Sequence, residues 1–494
     1  MNKNKAKSLG SIYTPEHIVK MMLDYGGYVV SDYIRKKHVI DNSCGDGQFL
    51  KEIVKRYLQS CDIEKINAID NIKQEIAAEL STYIHGIEID DGECEKCKSN
   101  LSSIAEEYGI TNVKWDIRCD NSLTVTDYDK KMDFVFGNPP YVRTHNLKDS
   151  SKETADDEDY QIFRKFSFAE KGMADLYLAF YELGLKMRNQ NGVLCYIAPS
   201  PWIYSLSGKN MRKYVEDSKE LSRVIDFEST QIFDAAQTYV MITLFDNRPH
   251  AFISYDKYNE ETKTFYSVSA LSYEEVFINH KMYFAAKEDL KIIRDVEKTT
   301  NGAIVVKNGY ATLADDIFID NLPQLSKYTI DIIKASTGAW KKCLFPYDQN
   351  LRPIPLNEIK ENAEDVYQYI IDNMQGLKNR TYDKSKEGYW HLIGRSQGLN
   401  DTFKNKIALN SLVKKAGDLK LNEVKAGQGV YSGMYILTDL NAGDIDQILN
   451  TEKFVNYVKS LRKYKSGGYC TFSTSDVEKY LNYATIYNVS DKKL

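Results

Sequence analysis

Proline and glycine are scarce in this chain of 494 residues, at 10 and 27, too few for a fibrous or disordered polymer. Long apolar runs are missing: no stretch approaches 18 consecutive apolar residues, and the first ten positions are basic and polar with no apolar segment among them. Neither a membrane span nor a secretory signal is therefore expected, and the cytoplasm is the expected address. The eight cysteines are irregularly spaced and make no disulfide framework. Cys94 and Cys97 form the one C-x-x-C, and without a second such pair no zinc or other metal site is expected. There is no G-K-[ST] of a phosphate-binding loop, which argues against a nucleotide triphosphatase. What the chain does have is 43% hydrophobic residues, 36 Tyr, 19 Phe and 4 Trp, enough for a globular protein of two to three domains.

The net charge of −5 at first argues against a nucleic-acid partner, but its distribution qualifies that reading. Residues 301–494 hold 26 Lys and Arg against 22 Asp and Glu, whereas residues 1–300 hold 39 against 48. A mildly basic C-terminal part matters more for phosphate contact than the total, although a solvated surface has the same signature.

From residue 38 to about 246, short apolar runs alternate with helical patterns, which predicts an α/β fold with a seven-stranded, mostly parallel, doubly wound sheet. The strands are expected at 38–42, 83–89, 113–118, 132–136, 193–198, 221–227 and 239–245, the last two able to form a hairpin at one edge. Helices are expected at 48–59, 93–108, 175–187 and 209–215. Before the first strand, Thr14-Pro15 reads as an N-cap followed by proline at the first helical position, with Ile18, Val19 and Met22 as the apolar face. The polar, charged stretch 144–171 reads as a mobile loop. Beyond residue 250 the alternation stops, and a helical connector near 288–298 leads into a separate mixed domain.

Two motifs carry chemistry. Asp41-Asn42-Ser43-Cys44-Gly45-Asp46-Gly47 lies between a strand and a helix, where glycines admit a ligand to the backbone, and its spacing is not that of a dinucleotide site. Glu88 ends the second strand and is placed for a ribose diol, or else is a surface carboxylate; Asp120 follows the third strand at the same edge. Gly137-Asn138-Pro139-Pro140-Tyr141 is the strongest signal. Two prolines remove N–H groups and turn carbonyl acceptors toward the crevice, so Asn138 and the Pro139 carbonyl can hold an exocyclic amino group while Tyr141 stacks on its ring.

At these residues the chain resembles the gamma-class, TaqI-like adenine-N6 DNA methyltransferases of restriction-modification type. Gly10 to Pro15, with Tyr13, Thr14 and Pro15, resembles that family's N-terminal cofactor motif. Asp41, Ser43, Cys44, Gly45 and Gly47 resemble its methionine-binding loop, and Glu88 with Ile89 its ribose contact. Asp120 resembles the adenine contact, Asn138, Pro139, Pro140 and Tyr141 the catalytic motif, and Phe233 in Ile232-Phe233-Asp234 the second aromatic against the target base, the alternative for Phe233 being a core residue below the edge hairpin. Two positions depart from the family: Asn121 stands where a bulky apolar residue usually meets the cofactor, and Asn42 where Pro is common, an exchange expected to be harmless.

The resemblance implies a Rossmann-like catalytic domain over residues 1–250 that uses S-adenosylmethionine, a connector over 251–300, and a mixed α+β DNA target-recognition domain over 301–494. Weaker likeness to the recognition half continues in residues 312–318, 390–396 and 466–469. Arg395, Arg462 and Lys465 are the expected DNA contacts. The enzyme implied is a site-specific, monomeric DNA adenine methyltransferase acting on double-stranded DNA, alone or beside a cognate restriction endonuclease. No N-terminally fused nuclease is expected, and Glu423-Val424-Lys425 is a lone E-x-K. Rival readings are an RNA or protein-glutamine methyltransferase, or a catalytically silent DNA-specificity subunit.

Overall fold

The computed structural model describes residues 13–61, 70–142, 158–170, 174–233, 239–299, 302–380 and 388–491. The chain divides into two compact units, Met1–Leu290 and Lys291–Leu494.

The first unit is built on one sheet of nine strands: β1 (Val39–Asp41), β2 (Ile84–Glu88), β3 (Asp116–Cys119), β4 (Met132–Gly137), β5 (Arg188–Pro199), β6 (Leu221–Asp226), β7 (Val240–Asp246), β8 (Phe252–Asn259) and β9 (Thr264–Ser272). Their spatial order is β3-β2-β1-β4-β5-β7-β6-β8-β9. β1 to β5 pair in parallel, β7 lies antiparallel between β5 and β6, and β9 is the second reversed strand. All seven expected strands are present, but β8 and β9 extend the sheet. The β6–β7 pair is consequently interior rather than an edge hairpin, because β8 bonds to the free side of β6. Residues 251–290 are thus part of the first unit and not a connector. β9 is exposed or half-buried along nearly its whole length, as the outer strand of an edge hairpin is, and so carries no long apolar run for a reading of the sequence to find.

Helices cover both faces. The helices up to β6 are α1 (Glu16–Tyr25), α2 (Gln48–Gln59), α3 (Asp70–Tyr83), α4 (Asp91–Glu107), α5 (Glu158–Arg164), α6 (Leu176–Met187) and α7 (Lys209–Ser218) among the described residues, and two more follow β9, Tyr273–Val276 and Lys287–Lys298. Ile18 and Met22 of α1, Phe49, Leu50 and Ile53 of α2, and Leu101 of α4 share one core with Val39, Ile84, Phe134 and Phe136 of the sheet. α6 packs on β4 and β5, and most of its side chains are buried. A strand covered on both faces buries every side chain, as β1 does.

Other differences are local. α1 is capped by Pro15, not Thr14, whose side chain is buried beside it with its hydroxyl making no hydrogen bond. α3 was not expected; its polar, weakly amphipathic sequence hides the period. The third strand begins at Asp116, three residues later than expected. Within the expected loop 144–171, residues 158–164 form α5 and Ser167–Ala169 a 3₁₀ turn, while residues 143–157 and 171–173 lie outside the described residues. Cys94 of α4 and Cys119 of β3 are joined as a disulfide, one isolated bridge rather than a framework.

The second unit is mixed α+β, as expected. An antiparallel sheet runs Val305–Asn308, Met434–Leu437, Lys406–Leu409, Leu421–Val424, and two further sheets have three strands each. The buried core gathers Phe318, Ile332, Phe345, Trp390 and Ile393. Arg380 donates to the carbonyls of Thr312, Trp390 and Leu392, so two of the three weaker motif segments are pinned by one guanidinium.

Candidate active site

Parallel strands end on the same side, so the loops after β1, β2, β3 and β4 meet at one edge of the sheet. Asp41 closes β1. It is buried, and burial pushes its carboxyl up to about 7, with the Ser43 N–H (3.0 Å to Oδ1) acting in the opposite direction. Cys44 N–H donates to Ile87 O at 3.1 Å, anchoring the loop to β2. A hydrogen bond to the Cys97 thiol, together with burial, raises the Cys44 thiol well above its ordinary range. Gly45 takes a φ of +52°, and nothing lies within 4 Å of where its Cβ would stand, so the loop leaves open space above its backbone. Gly47, at φ +92°, caps α2.

Glu88, at the end of β2, gathers three backbone donors. Its Oε1 accepts from Ile89 N–H at 2.8 Å and Asp90 N–H at 3.0 Å, and its Oε2 from Gly45 N–H at 3.0 Å. The carboxylate therefore couples the glycine loop to the start of α4. Asp120 N–H donates to Glu88 O at 2.9 Å, which brings Asp120 beside it, and the exposed Asp120 carboxylate accepts from Asn121 N–H at 2.7 Å. Asn121 uses its side-chain oxygen to cap the turn at Leu123 N–H (3.1 Å), so it serves chain direction, and the half-buried apolar residue of this segment is Leu123.

The Asn138–Tyr141 segment leaves β4 next to the glycine loop: Ser43 Oγ donates to Asn138 O at 3.3 Å. Pro139 is buried and Pro140 half-buried. Tyr141 OH donates to Ile197 O of β5 at 3.3 Å. Its ring meets Phe233 edge-on, with centroids 6.1 Å apart and planes at 63°. Phe233 is 3% exposed and belongs to the core of the unit. The expected pair is thus brought together, but as touching rings and not as parallel faces. Asp234 lies outside the described residues.

Tyr13 is half exposed and its hydroxyl donates to Glu93 Oε2 at 3.4 Å on α4, placing the N-terminal motif over the same edge; residues 10–12 lie outside the described ones. In the second unit, Arg395 and Lys465 are exposed, and Arg395 N–H donates to Ala311 O at 3.1 Å. Arg462 is 3% exposed, so it belongs to the interior and is withdrawn from the expected DNA contacts. Asn42 does more than the motif suggests. It is fully buried, accepts Tyr196 OH at Oδ1 (2.8 Å) and Ser122 Oγ at its carbonyl (2.7 Å), and so ties β1 to β5 and to the turn after β3. Two polar residues in succession, Asp41 and Asn42, directly after Val39 and Ile40 are the signal available in the sequence. Among the described residues no group of three His, Cys, Asp or Glu is arranged to hold a metal, and no helix is long and apolar enough to cross a membrane.

The first unit carries a doubly wound methyltransferase-type sheet with its loops converging on one edge, and residues 47–233 match the Eco57I restriction-modification methylase family. The matched segment runs from Gly47 through Glu88 and Asn138 to Phe233, which bears out the resemblance read from those motifs. Over 234 residues the chain is 29% identical to the Type II methyltransferase M.BstVI of Geobacillus stearothermophilus, covering 46% of this chain and 39% of that protein. It is 27% identical over 289 residues to the Type II restriction enzyme and methyltransferase RM.Eco57I of Escherichia coli, covering 48% and 28%. The chain thus spans well under half the length of these relatives. Among solved structures, the Type IIL restriction-modification enzyme MmeI in complex with DNA has the same fold over 93% of this chain and 63% of its own, with a TM-score of 0.56 and 12% identity.

Proposed function

We propose that the chain is a site-specific DNA methyltransferase that moves a methyl group from S-adenosylmethionine to N6 of an adenine turned out of duplex DNA. The observation that carries this reading is the junction of three separate segments: Gly45 bonds to Glu88 and Ser43 to Asn138, so the glycine loop, the strand-end carboxylate and the N-P-P-Y segment share one crevice. The cofactor fits what is there. The open space above Gly45 admits a ligand to the backbone, and Glu88, oriented by three N–H donors, can still accept from ribose hydroxyls.

When bound, S-adenosylmethionine supplies an electrophilic methyl group. The chain's part is to present the nucleophile. Adenine N6 is poorly nucleophilic because its lone pair is drawn into the ring; the Asn138 side-chain oxygen and the Pro139 carbonyl accept its two N–H bonds and favour a pyramidal nitrogen. Tyr141 supplies a ring face that offsets part of the stacking lost on extrusion. The proton leaves to solvent after transfer, so no general base is needed. The second unit is assigned to DNA recognition, supported by its positive balance and the exposed Arg395 and Lys465, and the chain acts as a monomer in the modification arm of a restriction-modification system.

Long-read sequencing of DNA from cells expressing the protein should find N6-methyladenine in one sequence context. Asn138→Ala should bind cofactor and DNA yet lose transfer by about 100-fold or more, the scale of removing one preorganised polar group. Unmodified adenines throughout, with no transfer in vitro, would overturn the reading.

A further inference from the structure

The turn between β5 and α7 holds a leucine in solvent at the edge where the Asn138–Tyr141 segment emerges. Leu206 is 94% exposed, more than any other large hydrophobic side chain among the described residues. β4 and β5 run parallel with Gly137 opposite Tyr196, so the chain leaves β5 at Pro199 on the same side as it leaves β4, and the Tyr141–Ile197 hydrogen bond ties the two exits.

The turn is firmly built. Tyr204 and Ser205 N–H both donate to Pro201 O, at 3.1 and 2.8 Å, and Lys209 N–H donates to Leu206 O at 3.2 Å. The Ser205 hydroxyl lies 3.1 Å from that of Ser207 and accepts from Gly208 N–H at 3.2 Å. Underneath, the buried Arg212 guanidinium donates to Trp202 O and Ser205 O at 2.6 and 2.7 Å and to His280 O at 2.8 Å. Gly208 sits so close to Trp202 that a Cβ there would come within 2.0 Å of the Trp202 carbonyl oxygen. A turn held this way gives its leucine a fixed mount, with the exposed Lys209 next to it on the phosphate-seeking side of the charge scale.

We propose that Leu206 is a wedge that enters the base stack vacated when the target adenine leaves the duplex. This deepens the methyltransferase reading and rests on it. Extrusion strips the neighbouring base pairs of a stacking partner, and apolar side chains inserted at such steps replace that contact. Leu206 touches neither cofactor nor reacting atoms in this role; it is a positioning residue that holds the opened duplex.

The test uses the full chain and two duplexes containing the methylated site found by sequencing, one fully paired and one lacking the base opposite the target adenine. Leu206→Ala should slow methylation of the paired duplex by about tenfold or more and restore near-wild-type rates on the duplex whose target is already loosened, since less unstacking is then required. Leu206→Met, which keeps an apolar probe, should stay near wild type on both. With 2-aminopurine as the target base, Leu206→Ala should show a smaller fluorescence rise than wild type on the paired duplex only. Equal rates for Leu206→Ala and wild type on paired DNA, or equal impairment on both duplexes, would overturn the wedge while leaving the enzyme intact. No transfer by wild type to either duplex would instead remove the methyltransferase reading, and the wedge with it.

Discussion

Asp41→Asn should stabilise the protein at neutral and alkaline pH, and by an amount that depends on pH. Asp41 is 2% exposed at the end of β1, with Glu88 adding like charge nearby, and burial holds its carboxyl at about 7 against an ordinary 3.8. Between those values the folded protein keeps a proton that the unfolded chain has released. Its contribution is therefore fully present below about pH 4, falls as pH rises through 7, and settles at a constant deficit beyond. About three pKa units at roughly 1.4 kcal/mol each set a ceiling of about 4 kcal/mol at pH 8. Asparagine keeps an oxygen for the Ser43 N–H, 3.0 Å away, and cannot ionise. The variant should thus be more stable than wild type by about 2–4 kcal/mol at pH 8 and by little at pH 4–5, read from urea unfolding at matched ionic strength. A stability difference that is the same at pH 5 and pH 8, or a variant less stable than wild type at pH 8, would refute the assignment of a buried, proton-holding carboxyl.

Glu88→Gln should weaken S-adenosylmethionine binding by about 1.5–3 kcal/mol, the worth of a hydrogen bond to a charged acceptor, in titration calorimetry. Unchanged affinity would move the ribose contact elsewhere. Phe233→Ala should lower stability by about 3–5 kcal/mol because the ring is 3% exposed within the first unit's core. Tyr141→Phe, losing only a 3.3 Å hydrogen bond, should stay within about 1 kcal/mol of wild type, and a thermal melt separates the two outcomes.

Much of the first unit was legible because its signals are local. Strands buried on both faces read as short apolar runs, and β1, β2, β4, β5, β6 and β7 all fall where such runs predict them. The glycine loop and N-P-P-Y were legible for a different reason: each needs particular residue types within a few positions, and the parallel sheet then brings their ends to one edge. The second unit was legible only as mixed α+β, since its short strands pair across long separations, as Val305 does with Leu437.

Local sequence determined the parallel sheet, the helix faces and the chemical types offered at the crevice, because period and turn chemistry act over a few residues. Only tertiary structure decided what those side chains do. Arg462 and Arg395 are the same residue type in the same basic half, yet packing buries one and exposes the other. Asn42 became a buried tie because Tyr196, 154 positions away, found its oxygen, and Phe233 became core because Tyr141 lies against it. Nor does composition mark Leu206 out from the other leucines. Its exposure follows from Arg212 and Gly208 fixing the turn beneath it, a long-range arrangement of hydrogen bonds and close contacts that exists only once the chain has folded.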